Sequence, residues 1–293
     1  MEFFDKVKSK LFALIDIFDP MLIIYYFSIV VGMLLLEWLI LGWEESSLKK
    51  IREFKGSVKT DFVFFLLDAF NVYNLITVVL TFGLCHFLAR MIYEATNFDL
   101  VLHIANPYLQ FAVVFLVSDF KNYWSHRIFH RYMPLWKLHE FHHAATDFCM
   151  LTRYRGHFVE NALKRFFDVI PFAILGAPIE SYFAVKVLSE IHQIVLHSSF
   201  KSDWGVIGRY ILVSPAAHRI HHSIQFEHHD KNFSNTFIFW DRLFGTYHPA
   251  VDVPELGVAE NPYNHDGPVK DVATGIRRFF SSLFNRNPIS DTK

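Results

Sequence analysis

Cysteine is nearly absent from these 293 residues: only Cys85 and Cys149 occur. That excludes a disulfide scaffold, a four-cysteine zinc site and a cysteine-ligated iron–sulfur cluster. Charge is scarce too, at 19% of residues, and it nearly cancels to −1. No basic field exists to hold nucleic acid. Internal repeats, low-complexity linkers and a G-x-G-x-x-G nucleotide fingerprint are also missing. What fills the chain instead is apolar: 52% hydrophobic residues and 33 Phe, with a mean hydropathy of +0.23. Such sparse charge argues against disorder and against an ordinary soluble enzyme. Histidine is the anomaly, with 17 residues, of which 13 lie between His126 and His229.

The apolar residues gather into runs. Met21 to Leu41 carries one charge, Glu37, and at about 20 residues it is long enough to cross a hydrocarbon core of roughly 30 Å. A second run covers Val72 to Tyr93, preceded by Phe62 to Phe70 with Asp68 inside it. The third, Pro107 to Ser118, must extend towards Trp124 to span. A fourth, Phe166 to Ile191, is interrupted by Pro171, Gly176 and Pro178 and reads as a re-entrant helical hairpin. The expected fold is an all-α integral membrane bundle of three to four transmembrane helices plus that hairpin. Glu37 is costly in lipid and should face protein or headgroups.

Sidedness follows from the loops. Lys49, Lys50, Arg52, Lys55 and Lys59 mark the first as cytoplasmic, whereas Glu94 to Asn106 has no Lys or Arg. The third span then returns the chain to the cytosol at Lys121, so the histidines form a cytosolic cap. Met1 to Phe18 reads as an interfacial amphipathic helix rather than a cleaved signal peptide. The expected divisions are 1–106, holding that helix and two spans; 107–251, holding the histidines; and 252–293, a polar tail.

The histidines fall into groups: His126 with His130, His139 with His142 and His143, His192 with His197, and His218 with His221 and His222. Residues three and four apart share a helix face, so each H-x-x-H-H offers three imidazoles together. Neutral imidazole binds iron, zinc and copper, and ten such nitrogens can share two ions. The set is poor in carboxylates and has no hydrolytic base of its own, which suits redox chemistry at iron; zinc would be held by the same ligands.

These residues carry a resemblance. The segments 119–130, 134–143 and 214–223 resemble the three boxes of the fatty acid hydroxylase/sterol desaturase superfamily, and 232–247, with Trp240-Asp241-Arg242-Leu243-Phe244-Gly245-Thr246, resembles its closing signature. Arg155-Gly156-His157 and Glu160 are similar to a segment that follows the second box. The match covers roughly Phe111 to His248. It implies a fatty acid hydroxylase catalytic domain in which His126, His130, His139, His142, His143, His218, His221 and His222 are box ligands, with His197 as a further ligand and His192 added at a spacing of five that departs from the form in some members. Ser234 stands where glycine is usual.

The resemblance also implies two iron ions, dioxygen as co-substrate, and two electrons from a separate cytochrome b5-like protein, ferredoxin or reductase, since no fused carrier is visible in the sequence. Hydrogen abstraction from an unactivated C–H bond and rebound would give an alcohol on a lipid, fatty acyl, sterol or ether; loss of a second hydrogen would make a desaturase. A bacterial inner membrane or the endoplasmic reticulum would each place the site in the cytosol. Asp119, His157 and Asp241 are candidates to orient ligand rings by accepting the second N–H; for Asp241 an ion pair with an arginine is the alternative. His228 and His229 read as solvated.

Two readings of other classes compete. His139-Glu140-Phe141-His142-His143 satisfies the H-E-x-x-H zinc protease pattern with Glu140 as base. It uses two histidines and leaves the others unexplained, and Arg219 replaces the glutamate in the parallel group. A metal transporter would favour polar ligands within the spans or a low-complexity histidine loop.

Overall fold

The computed structural model describes residues 20–81, 84, 87, 88, 91, 94, 95, 101, 103–175, 179–253 and 255–284. The N-terminal segment read as amphipathic, and Cys85 and His86, lie outside them. The described residues are helical, with β-pairing limited to the isolated bridges Leu212–Phe237 and Ser223–Leu256.

The first helix, α1 (Pro20–Leu41), contains the one described stretch long and apolar enough to cross a membrane, Ile23–Leu41, of which 17% is buried within the protein. Its outward face shows Ile24, Leu36, Leu39 and Ile40. Its inward face packs Val30 and Leu34 on Val58, Phe65, Met150 and Ile194. Glu37 faces protein, as lipid would demand: fully buried, it accepts from Ser47 N at 2.6 Å, Ser47 Oγ at 3.0 Å and Ser199 N at 2.6 Å. One carboxylate thus ties α1 to α2 (Ser47–Glu53) and to the chain just past His197.

After α2 come α3 (Val58–Ala69) and α4 (Val72–Thr81), separated by Asn71 at φ 58°. The helix expected to extend from Pro107 towards Trp124 does so and continues, 25 residues in all, as α5 (Pro107–Arg131). Asn106 caps its start by accepting from Tyr108 N at 2.9 Å, with Pro107 preset in the first turn. The first box is therefore the last turns of an apolar helix. Its charges, Asp119, Lys121, Arg127 and Arg131, crowd into this half, which keeps α5 as a whole from reading as a span.

Tyr132, extended at φ −101°, turns the chain directly into α6 (Met133–His143). A 3₁₀ turn (Met150–Tyr154) leads to α7 (Phe158–Leu175) and α8 (Ile179–Leu196), two 18-residue helices flanking residues 176–178, where the sequence reads a hairpin. Both are charged, α7 by Glu160, Lys164, Arg165 and Asp168, α8 by Lys186 and Glu190. Short helices α9 (Gly205–Tyr210), α10 (Pro215–His221) and α11 (Phe239–Leu243) follow.

The segment read as a polar tail contains α12 (Pro268–Phe284), which is amphipathic and lies along α6. Its seat is specific. Asp271 accepts from Thr60 Oγ1 and Asn264 N, each at 3.0 Å, and Arg278 forks onto Glu140 at 3.1 and 3.2 Å. Gly275 lies so near His157 that a Cβ there would sit 2.8 Å from the ring.

Candidate metal centre

The boxes sit on the end of α5, all of α6, the chain after α8, and α10. Ser214 caps α10 through Ala217 N at 3.2 Å, with Pro215 in its first turn. Nine of the ten candidate histidines converge in two groups. His126, His130, His139, His143 and His221 form one, and His142, His197, His218 and His222 the other; within each, one ring nitrogen per residue lies within 4.8 Å of all the rest.

Each H-x-x-H-H box is divided between the groups. His139 and His143 go to the first and His142 to the second, while His218 and His222 go to the second and His221 to the first. Helix geometry explains the division. Positions i and i+4 are offset by about 40° around the axis and i+3 by about 60° the other way. The i,i+4 pair serves one centre and the i+3 ring swings to its neighbour.

Hydrogen bonding at the far nitrogens fixes the tautomers. Nδ1–H donates to Phe233 O from His126 at 2.8 Å, to Arg155 O from His142 at 2.9 Å, to Gln193 O from His197 at 2.8 Å and to Lys231 O from His221 at 2.9 Å. For His139 the acceptor is Glu160 Oε1 at 2.7 Å. The Nε2 lone pairs must then point inward. His126 Nε2 lies 3.0 Å from His139 Nε2, and His142 Nε2 3.3 Å from His197 Nε2. Two facing lone pairs at that distance repel unless a cation lies between them. Protons are a poor choice, because burial holds His126, His142 and His197 well below the ordinary imidazole range and His221 at about 3. The donor set fits metal cations, and aromatic walls shield it: Trp136 is 4.8 Å from the His130 ring, and Phe148 stacks on His197 at 5.3 Å. An opening lined by Trp136, Asp230 and Val258 reaches the five-histidine group.

His192 is not in either group; its half-buried ring packs on Trp204 at 5.7 Å. None of the three carboxylate or imidazole positioners read from sequence is hydrogen-bonded to a box ring. Asp119 accepts from Phe237 N and Trp240 Nε1 at 3.0 and 3.1 Å. Asp241 takes neither an imidazole nor an arginine: it accepts from Phe233 N, Ser234 N and Thr246 Oγ1, fixing the turn whose Phe233 carbonyl holds His126. His157 donates to Val272 O at 3.1 Å, under α12. His228, read as solvated, is buried on Ser223 Oγ at 2.8 Å, since a 3₁₀ turn folds it inward.

The residues missed as positioners are Glu160 and Arg155. Burial alone would raise the Glu160 carboxyl, but Lys164 and then His139 hold it well below the usual carboxylate range. Arg155, fully buried, donates to Phe141 O, Asp61 and Asn264 while its carbonyl takes His142. Their signal lay in the resemblance of 155–160, which named the residues without their partners. Glu140 is occupied by Arg278 and Lys137, so the H-E-x-x-H reading finds its base engaged elsewhere.

Residues 111–246 match the fatty acid hydroxylase family model. Ornithine lipid hydroxylase OlsE of Rhizobium tropici is 26% identical over 145 residues, 49% of this chain and 44% of that protein. Alkylglycerol monooxygenase of Xenopus tropicalis is 32% identical over 178 residues, 60% of this chain and 39% of its own length. Methylsterol monooxygenase 2-2 of Arabidopsis thaliana is 28% identical over 139 residues, covering 47% of this chain and 52% of that protein. The chain spans about half or less of the length of these relatives, and no solved structure matches it. Residues 111–246, which hold both histidine groups, thus belong to the fatty acid hydroxylase family.

Proposed function

We propose that this protein is a membrane-bound, dioxygen-dependent oxidoreductase that hydroxylates an unactivated C–H bond of a lipid. The observation that carries the reading is the facing of imidazole lone pairs inside two adjacent buried groups, which calls for two cations held almost wholly by neutral nitrogen. His126, His130, His139, His143 and His221 would hold one iron, and His142, His197, His218 and His222 the other. His192 has no part in this assignment. Bound iron would supply dioxygen activation, with electrons from a separate carrier protein.

The rest is the work of the chain. Backbone carbonyls and Glu160 lock the rings in their ligating tautomer. Trp136, Phe148 and Phe233 exclude water, which limits side reactions. The outward apolar face of α1 anchors the site to a bilayer, where lipid substrates reside, with the remaining sequence-read spans completing a multi-pass bundle and the cap in the cytosol. Hydroxylation is favoured over desaturation because the relatives are named as hydroxylase and monooxygenases.

The test is elemental analysis of detergent-purified protein joined to lipid mass spectrometry of cells with and without the gene. About two irons per chain and a lipid gaining one oxygen are expected. A lipid losing two hydrogens would mean a desaturase. One zinc with no altered lipid would overturn the proposal.

A further inference from the structure

Two adjacent sites built from the same side chain would be expected to bind metal alike, yet the groups that hold the far nitrogens of their rings differ. His126, His142, His197 and His221 all donate their Nδ1–H to neutral backbone carbonyls. His139 alone among these donates to a carboxylate, Glu160, at 2.7 Å. Glu160 is 2% exposed, its second oxygen meets no donor among the described residues, and Lys164, one turn on, reaches the first at 2.5 Å. Behind the four-histidine group lie two arginines, Arg219 and Arg153, the second of them paired with Glu190 at 2.7 Å. Arg219 lies 5.3 Å over the Phe148 ring, which itself stacks on His197, and the Arg153 guanidinium disfavours positive charge at both His197 and His218.

We infer that Glu160 makes the two metal sites unequal, so that the five-histidine site fills first and binds its ion more tightly than the four-histidine site. The inference rests on the metal reading above. Glu160 acts through His139, as a positioning residue. An anion hydrogen-bonded to the far nitrogen fixes the ring and strengthens its donor nitrogen, an effect typically worth 10–100-fold in metal affinity. It also places a negative charge near an incoming dication in surroundings of low dielectric. Lys164 tempers this by giving Glu160 a competing cation. With Lys164 gone, the metal is the principal positive charge left to Glu160.

The experiment is titration of Co²⁺ into chelator-stripped, full-length protein in detergent, followed by visible absorption and calorimetry. Wild type should bind in two steps. His221→Ala should abolish the tighter step and His142→Ala the weaker. Glu160→Gln, which keeps size and an acceptor but removes the charge, should weaken the tighter step about 10–100-fold and the other step far less, since the carboxylate's field reaches that group only through His142. Lys164→Met should leave the tighter step as tight or tighter, a direction that general damage to the fold would not give. Equal weakening of both steps by Glu160→Gln, no weakening at all, loss of the tighter step in His142→Ala, or a weakened tighter step in Lys164→Met would each overturn the inference. Wild type that binds no Co²⁺ would instead bring down the metal reading itself.

Discussion

A histidine in this chain is defined by what its far nitrogen meets. Where Nδ1–H has a backbone carbonyl, as in His142 and His221, the near nitrogen is committed to the interior as a lone pair. His142→Ala should therefore cost the purified protein the ion of the four-histidine group, and His221→Ala that of the five-histidine group. Each should lower metal content by about one ion per chain by elemental analysis. His192, outside both groups, should retain full metal content as His192→Asn. It titrates instead. Burial lowers its pKa to about 4, against about 6.5 in an unfolded chain. The unfolded state thus binds the extra proton between those values, and the stability His192 contributes is whole above about pH 6.5 and lost as pH falls towards 4. Thermal melting in detergent should fall less steeply with acid in His192→Asn than in wild type.

Elements are joined by single polar side chains at places the hydropathy pattern leaves blank. Arg155 binds the 3₁₀ turn to α3 through Asp61 and to α6 through Phe141 O. Arg155→Met would strand the buried Asp61 carboxylate, and breaking a buried pair in this way costs about 3–5 kcal/mol. A marked drop in melting temperature with lowered metal content is expected, because the same residue's carbonyl orients His142. At Gly275 the limit is space. Gly275→Val would drive a side chain into His157 and lift α12 from α6. Limited proteolysis should then cut within 268–284, where the wild type resists.

For the whole molecule, the proposed function requires that a buried polar centre be brought to a bilayer. Helix α1 leaves most of its apolar surface outside the protein, yet the buried Glu37 fastens it next to the chain that follows His197. Alkaline carbonate should fail to extract the protein from membranes, and release would contradict a spanning α1. A cysteine introduced at the exposed Lys55 should react with an impermeant reagent only from the cytosolic side.

Spacing alone carried much of this. Groups of histidines at i, i+3 and i+4 lie on a helix face whatever the fold, and 21–41 is too apolar to be anything but a helix buried in lipid or protein. Hence the helical class, α1 and the shared faces of eight box histidines were legible from the residues, while His197 was singled out through the family resemblance. Tertiary structure decided which ring joins which group, because α6 and α10, about eighty residues apart in the sequence, face each other across both centres. It also put His192 against Trp204 and set Glu160 rather than Asp119, Asp241 or His157 behind a ligand. A carboxylate's partner depends on the approach of α7 to α6, and periodicity within either helix says nothing about the distance between them. For the same reason 268–284 reads as polar in sequence yet forms part of the support of the second box: its apolar face has meaning only against α6.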